Sequence, residues 1–210
     1  MRRLIKITAF LLTAISSSLV YAGPVEGLQT GWAHANYELK GDAQVAAFEA
    51  LLVTADETVA GHPGDPAVLI WRGIIQSTYA GKAGGLSALK WVKAARASLE
   101  EAMEIDKNAL NGSAYTSLGA LYYQVPGWPI GFGNDDKART LLEQAIRINP
   151  DGIDSNYFYG DFLVEQKEYD SAKKVLTKAL AAPRRPGREI ADLGRREEIK
   201  TLLKLVDTKT

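Results

Sequence analysis

The sequence predicts an all-α fold: antiparallel helix pairs stacked side by side, three to four pairs closed by a C-terminal capping helix. Three observations carry this reading. Apolar residues recur at helical spacing through most of the chain beyond residue 30, glycines and alanines return at matching places in successive helices, and clusters of Gly, Pro, Asn and Asp separate the helical runs. At 210 residues the chain can bury one sizeable core or stack three to four pairs, so residues 23–210 read as a single domain.

The opening Met1-Arg2-Arg3-Leu4-Ile5-Lys6 is basic and leads into an apolar run from Ile7 to Val20. Ser16, Ser17 and Ser18 shorten that run below the ~20 residues that a bilayer span requires, so residues 1–22 read as a signal peptide cleaved after Ala22. The mature protein is therefore expected in the periplasm or outside the cell, without membrane insertion. It has no cysteine to make use of an oxidising compartment. The chain as a whole carries 25 basic and 25 acidic residues; loss of Arg2, Arg3 and Lys6 leaves 22 against 25, net −3. So mild a balance argues against nucleic acid or an anionic membrane as the main partner.

Gly23 to Thr30 has no period and reads as a leader. Trp32, Ala35 and Leu39, then Val45, Phe48, Leu52 and Val59, predict a first pair over residues 31–60 with a break at Gly41-Asp42. Gly61 to Pro66 is a loop, and Asp65-Pro66 supplies the cap and first-turn proline of the next helix. A second pair spans 66–107, with helices from Ala67 to about Thr78 and from Ser87 to Asp106; Tyr79 to Gly85 reads as an enlarged turn between them.

Two further pairs, residues 112–150 and 153–182, show the pattern most clearly. Tyr115, Leu118, Gly119 and Tyr122 are followed by Ala138, Leu142, Ala145 and Pro150; Asn156, Tyr159, Gly160 and Leu163 are followed by Ala172, Leu176 and Ala179. From Ala145 to Ala179 is 34 residues. In spacing and period these copies resemble tetratricopeptide repeats, in which small residues let paired helices approach closely. Gly73, Ala95, Leu99 and Ala102 repeat the pattern upstream.

After Ala182 the turn Pro183-Arg184-Arg185-Pro186-Gly187 leads to a helix over 188–207. Its apolar stripe and charged outer face suit a cap. The Arg184, Arg185 and Arg188 cluster reads as a solvated surface.

Nothing in the sequence gathers into a catalytic or metal centre. His34 and His62 stand apart, no phosphate-binding glycine loop or Gly-x-Ser-x-Gly occurs, and Asp161 and Glu165 have no nucleophile beside them. No enzyme activity, cofactor or metal is expected.

Binding is the better expectation. The resemblance implies that the first helix of each pair lines a concave groove, which would place Ile70, Ile74, Tyr123, Tyr157 and Asp161 on it. Tyrosine gives broad contact area with a polar tip at little entropic cost. The insert Val125 to Asn134 adds Trp128, Ile130 and Phe132 within prolines and glycines that forbid regular structure. Side chains of this kind must be covered, either as a lid on the core or as a wall of a binding site. The expected function is a non-enzymatic scaffold that uses the groove, with Trp128 and Phe132 of the insert, to hold a protein or peptide. The alternative is an accessory component of a solute uptake system that binds an apolar small ligand, on a weaker architectural likeness to the T component of tripartite periplasmic transporters.

Overall fold

The computed structural model describes residues 23–209 except residue 86; the expected signal peptide lies outside the described residues. The helices are α1 (Glu26–Ala33), α2 (Gly41–Gly61), α3 (Pro66–Ala83), α4 (Ser87–Asp106), α5 (Ala109–Gln124), α6 (Asp135–Ile148), α7 (Ile153–Glu165), α8 (Tyr169–Leu180) and α9 (Glu189–Asp207). A single π-helical turn, His34–Glu38, extends α1. Among the described residues there is no strand.

The chain's own polar side chains set several boundaries. The Asp65 carboxylate accepts hydrogen bonds from the Ala67 and Val68 amides, with Pro66 in the first turn, and starts α3. Asn134 caps α6 by accepting from the Lys137 amide at 2.8 Å. Between α6 and α7, Ser155 donates to the Asn149 carbonyl and Asn156 to those of Pro150 and Gly152, so the turn is tied from inside. Asn156, which stands where the repeat pattern has an aromatic, therefore holds a turn rather than filling a groove.

Helices α3 and α4, α5 and α6, and α7 and α8 pack as antiparallel pairs, and neighbouring pairs lie side by side. Small residues at the crossings explain the closeness. A Cβ placed on Gly73 would come within 2.7 Å of Leu99, one on Gly119 within 2.6 Å of Leu142, and one on Gly160 within 2.6 Å of Leu176. Ala95 and Ala102, Ala138 and Ala145, and Ala172 and Ala179 are all fully buried on the facing helices. Gly31 against Leu51 makes the same crossing between α1 and α2. The first pair thus follows the rule at its glycine, with Ala47, Leu51 and Thr54 where the others have Ala, Leu and Ala.

Two readings of the sequence need correction. The leader is not aperiodic throughout, because α1 begins at Glu26 and buries Leu28. Nor do residues 79–83 form a loop. They extend α3 by more than a turn, with Tyr79 and Ala80 buried, and only Gly84 and Gly85 break the helix at positive φ.

The core divides into a cluster from α3 to α9 and a second around Leu28, Trp32, Phe48 and Trp71. Ala191 of α9 belongs to the second. The last helix therefore meets the π turn that extends α1 as well as its neighbours α7 and α8.

Candidate binding surface

The inner helices, α1 with its π turn, α3, α5, α7 and α9, carry the residues of the expected groove. Ile70 is fully buried and Ile74 half-buried, so the α3 portion of that face is core and leaves little for a partner to touch. Tyr123, Tyr157 and Asp161 are half-buried. The Tyr123 hydroxyl donates to Asp161 at 2.6 Å, and its ring lies 5.6 Å from that of Phe162. Burial pushes Asp161 above the usual carboxylate range despite the Tyr123 hydrogen bond, and burial, then the Asp161 charge, pushes Tyr123 well above the ordinary phenol. This pair is therefore a hydrogen-bonded contact between α5 and α7 rather than a free carboxylate. Glu165, its companion on the sequence, is exposed.

Tyr157 lies beneath the guanidinium of Arg195, 4.1 Å from the ring centre, and beside Phe158. Burial raises it to about 12, against the pull of Arg195. Arg195 is the hub of an ionic lattice. It reaches Asp154 at 2.9 Å and Glu198 at 2.6 Å, while Arg185 reaches Asp154 at 2.7 Å and Asp192 at 2.6 Å. The Tyr37 hydroxyl, on the π turn, donates to Glu198 at 3.2 Å. Burial works to raise Asp154, but Arg195 and then Arg185 outweigh it and hold this carboxyl at about 2.

The lattice overturns the reading of the arginine cluster as solvated. Arg185 is engaged by two carboxylates, Arg188 lies 4.9 Å over the Trp71 ring, and only Arg184 is exposed. With α9 bound to α7, to the π turn and to Trp71, much of the inner face is occupied from within the chain. A shallow hollow of about 330 Å³ stays open there, lined by Tyr157, Glu197, Glu198, Thr201 and Leu202.

The insert between α5 and α6 is the other surface. It is firmly held: the Gly133 amide donates to the Pro126 carbonyl, the Asn134 amide to that of Tyr122 at 2.8 Å, and the Gly131 amide to that of Gly127. Gly131 and Gly133 sit against the backbone of Val125 and Pro126 with no room for a Cβ. Phe132 packs edge-on to Tyr122 at 5.4 Å, under the Arg96 guanidinium. The outcome is split. Phe132 is tucked in, whereas Trp128 is 90% exposed and Ile130 68% exposed. The expectation that all three must be covered holds for Phe132 alone; the chain covers neither of the others.

Among the described residues no group of three or more His, Asp or Glu side chains is placed to hold a metal ion, and no helix is long and apolar enough to cross a membrane.

Comparison with known proteins agrees with this architecture. Residues 131–195 match the tetratricopeptide repeat family. A thermophilic TPR protein of Thermus thermophilus, known from its crystal structure, superposes with a TM-score of 0.56 at 20% identity, over 88% of this chain and 91% of that one. No curated protein matches the chain.

Proposed function

We propose that this chain, whose residues 131–195 match the tetratricopeptide repeat family and whose stacked helix pairs share that fold, serves as a non-enzymatic scaffold that holds a protein partner at the insert edge. The observation that carries this reading is the bare pair Trp128 and Ile130 on a loop pinned by backbone hydrogen bonds. A large aromatic and an aliphatic side chain fixed in water give a partner a preordered apolar anchor, and little conformational freedom is lost on contact.

The half-buried strip at Tyr123, Tyr157 and Asp161 gives at most a second, weaker contact, since their polar groups are engaged inside the chain. An apolar small ligand fits less well: the 330 Å³ hollow is lined by two carboxylates. The basic start and apolar run of residues 1–20 support export, so the scaffold is proposed to act in the periplasm or outside the cell. Mass measurement of the mature N-terminus tests that.

The function is tested by affinity capture with the mature chain and with Trp128→Ala/Ile130→Ala. Both replaced residues are exposed, so helical content should be unchanged. Loss of a specific co-purifying protein supports the scaffold reading; capture that ignores both replacements rejects it.

A further inference from the structure

Between Asp65 and Glu100 the chain carries Arg72, Lys82, Lys90, Lys93 and Arg96 and no acid. This run forms α3 and the first half of α4 in a chain whose 25 basic and 25 acidic residues balance only as a whole. Arg72 is engaged by Ser98 and Glu101, and Arg96 has Glu100 at 3.6 Å. Lys82, Lys90 and Lys93 are exposed and form no ion pair among the described residues; Lys90 lies over the Trp91 ring.

The Arg96 guanidinium also sits 4.7 Å from the centre of the Phe132 ring, which places the end of the acid-free run beside the insert. The insert itself has no charge from Gln124 to Asn134. The helix that touches the insert through Arg96 thus carries, within its two preceding turns, Lys93 and Lys90, which form no ion pair among the described residues.

We infer that the partner segment received here is acidic and carries an apolar side chain, which seats on Trp128 and Ile130 while its carboxylates face Lys90 and Lys93. The inference rests on the scaffold reading and names the chemistry of its partner. Apolar contact supplies the attachment, and the lysines select for acid and speed encounter. An anionic bilayer matches the edge less well. Asp135 and Asp136, both exposed, open α6 immediately after the insert and would be pressed against the same negative plane. A discrete acidic segment leaves them clear.

The test uses the mature chain and two short fluorescein-labelled peptides of helical apolar spacing, one with glutamates between the apolar residues and its twin with lysines, read by anisotropy. The glutamate peptide should bind and the twin should not. Lys90→Glu/Lys93→Glu should weaken binding by about tenfold or more, and added salt should act in the same direction. Trp128→Ala/Ile130→Ala should abolish it. Equal binding of both peptides, or binding of neither, overturns the inference. So does Trp128-dependent binding to phosphatidylglycerol vesicles without binding of the glutamate peptide, or Trp128-dependent pairing of two copies of this chain. In affinity capture, loss with the Trp128 pair but not with the lysine pair leaves the scaffold standing and removes the acidic partner. Capture untouched by either pair removes the scaffold itself.

Discussion

Gly194 of α9 lies against the ring of Tyr37 in the π turn, with no room for a Cβ between them. The two residues belong to the last and first inner helices, so this contact joins the ends of the stack. Gly194→Ala is expected to lower stability by about 1–3 kcal/mol, the usual penalty for overpacking. Thermal unfolding measures it, and a cycle with Tyr37→Ala identifies the cause. Once the ring is gone, the alanine should cost much less.

Glycine to alanine within a helix ordinarily stabilises, by about 0.5–1 kcal/mol. Gly119 and Gly160 should show the opposite sign, because Leu142 and Leu176 occupy the space the methyl group needs. Denaturant unfolding of Gly119→Ala and Gly160→Ala is expected to show losses of about 1–3 kcal/mol. Gly81→Ala, where nothing lies within 4 Å, serves as the control that should gain.

These crossings were also the most legible part of the sequence. Gly119, Leu142 and Ala145, and Gly160, Leu176 and Ala179, stand at helical spacing and at a fixed period, and both properties survive in a string of letters. Gly31 escaped notice because its partner helix has Thr54 where the others carry their second alanine. The length of α3 was hidden by Gly81, Gly84 and Gly85, whose composition suggests a loop although the helix runs through the first of them. The lattice of Asp154, Arg185, Arg195 and Glu198 joins α7, α9 and the turn before α9, and only its Arg195–Glu198 pair has a local spacing to show for it. Least legible was the exposure of Trp128, since an apolar residue in a loop gives no sign in sequence of whether its own chain covers it.

The ionic lattice gives stability a defined pH dependence. Asp154 is held at about 2, below the ordinary 3.8. A carboxyl lowered on folding contributes fully above its unfolded value, and that contribution fades as pH falls toward 2. Tyr157 is raised to about 12 from 10.0. Its neutral form is the one the fold holds, so its contribution is complete below pH 10 and is lost as pH rises through 12. Thermal midpoints should therefore fall at both extremes. Asp154→Asn should flatten the acid limb while lowering the midpoint at neutral pH, and Tyr157→Phe should flatten the alkaline one.

Asp161 carries the opposite sign to Asp154. Burial raises it, so its charge opposes folding at neutral pH and its contribution is lost as pH rises through the folded value. Asp161→Asn keeps an acceptor for the Tyr123 hydroxyl and is expected to be neutral or stabilising. Asp161→Leu leaves that hydroxyl without its carboxylate acceptor and should cost about 1–3 kcal/mol. Denaturant unfolding of the two variants at pH 7 distinguishes them.

The scaffold proposal is tested most directly by a photoreactive amino acid placed at position 128, with a second probe at Val53, which is 58% exposed on α2, as the control. After irradiation in the cells that make the protein, position 128 should yield one discrete adduct to another protein and position 53 none. Equal yields from both sites, or no adduct at position 128, would contradict a partner held at the insert edge.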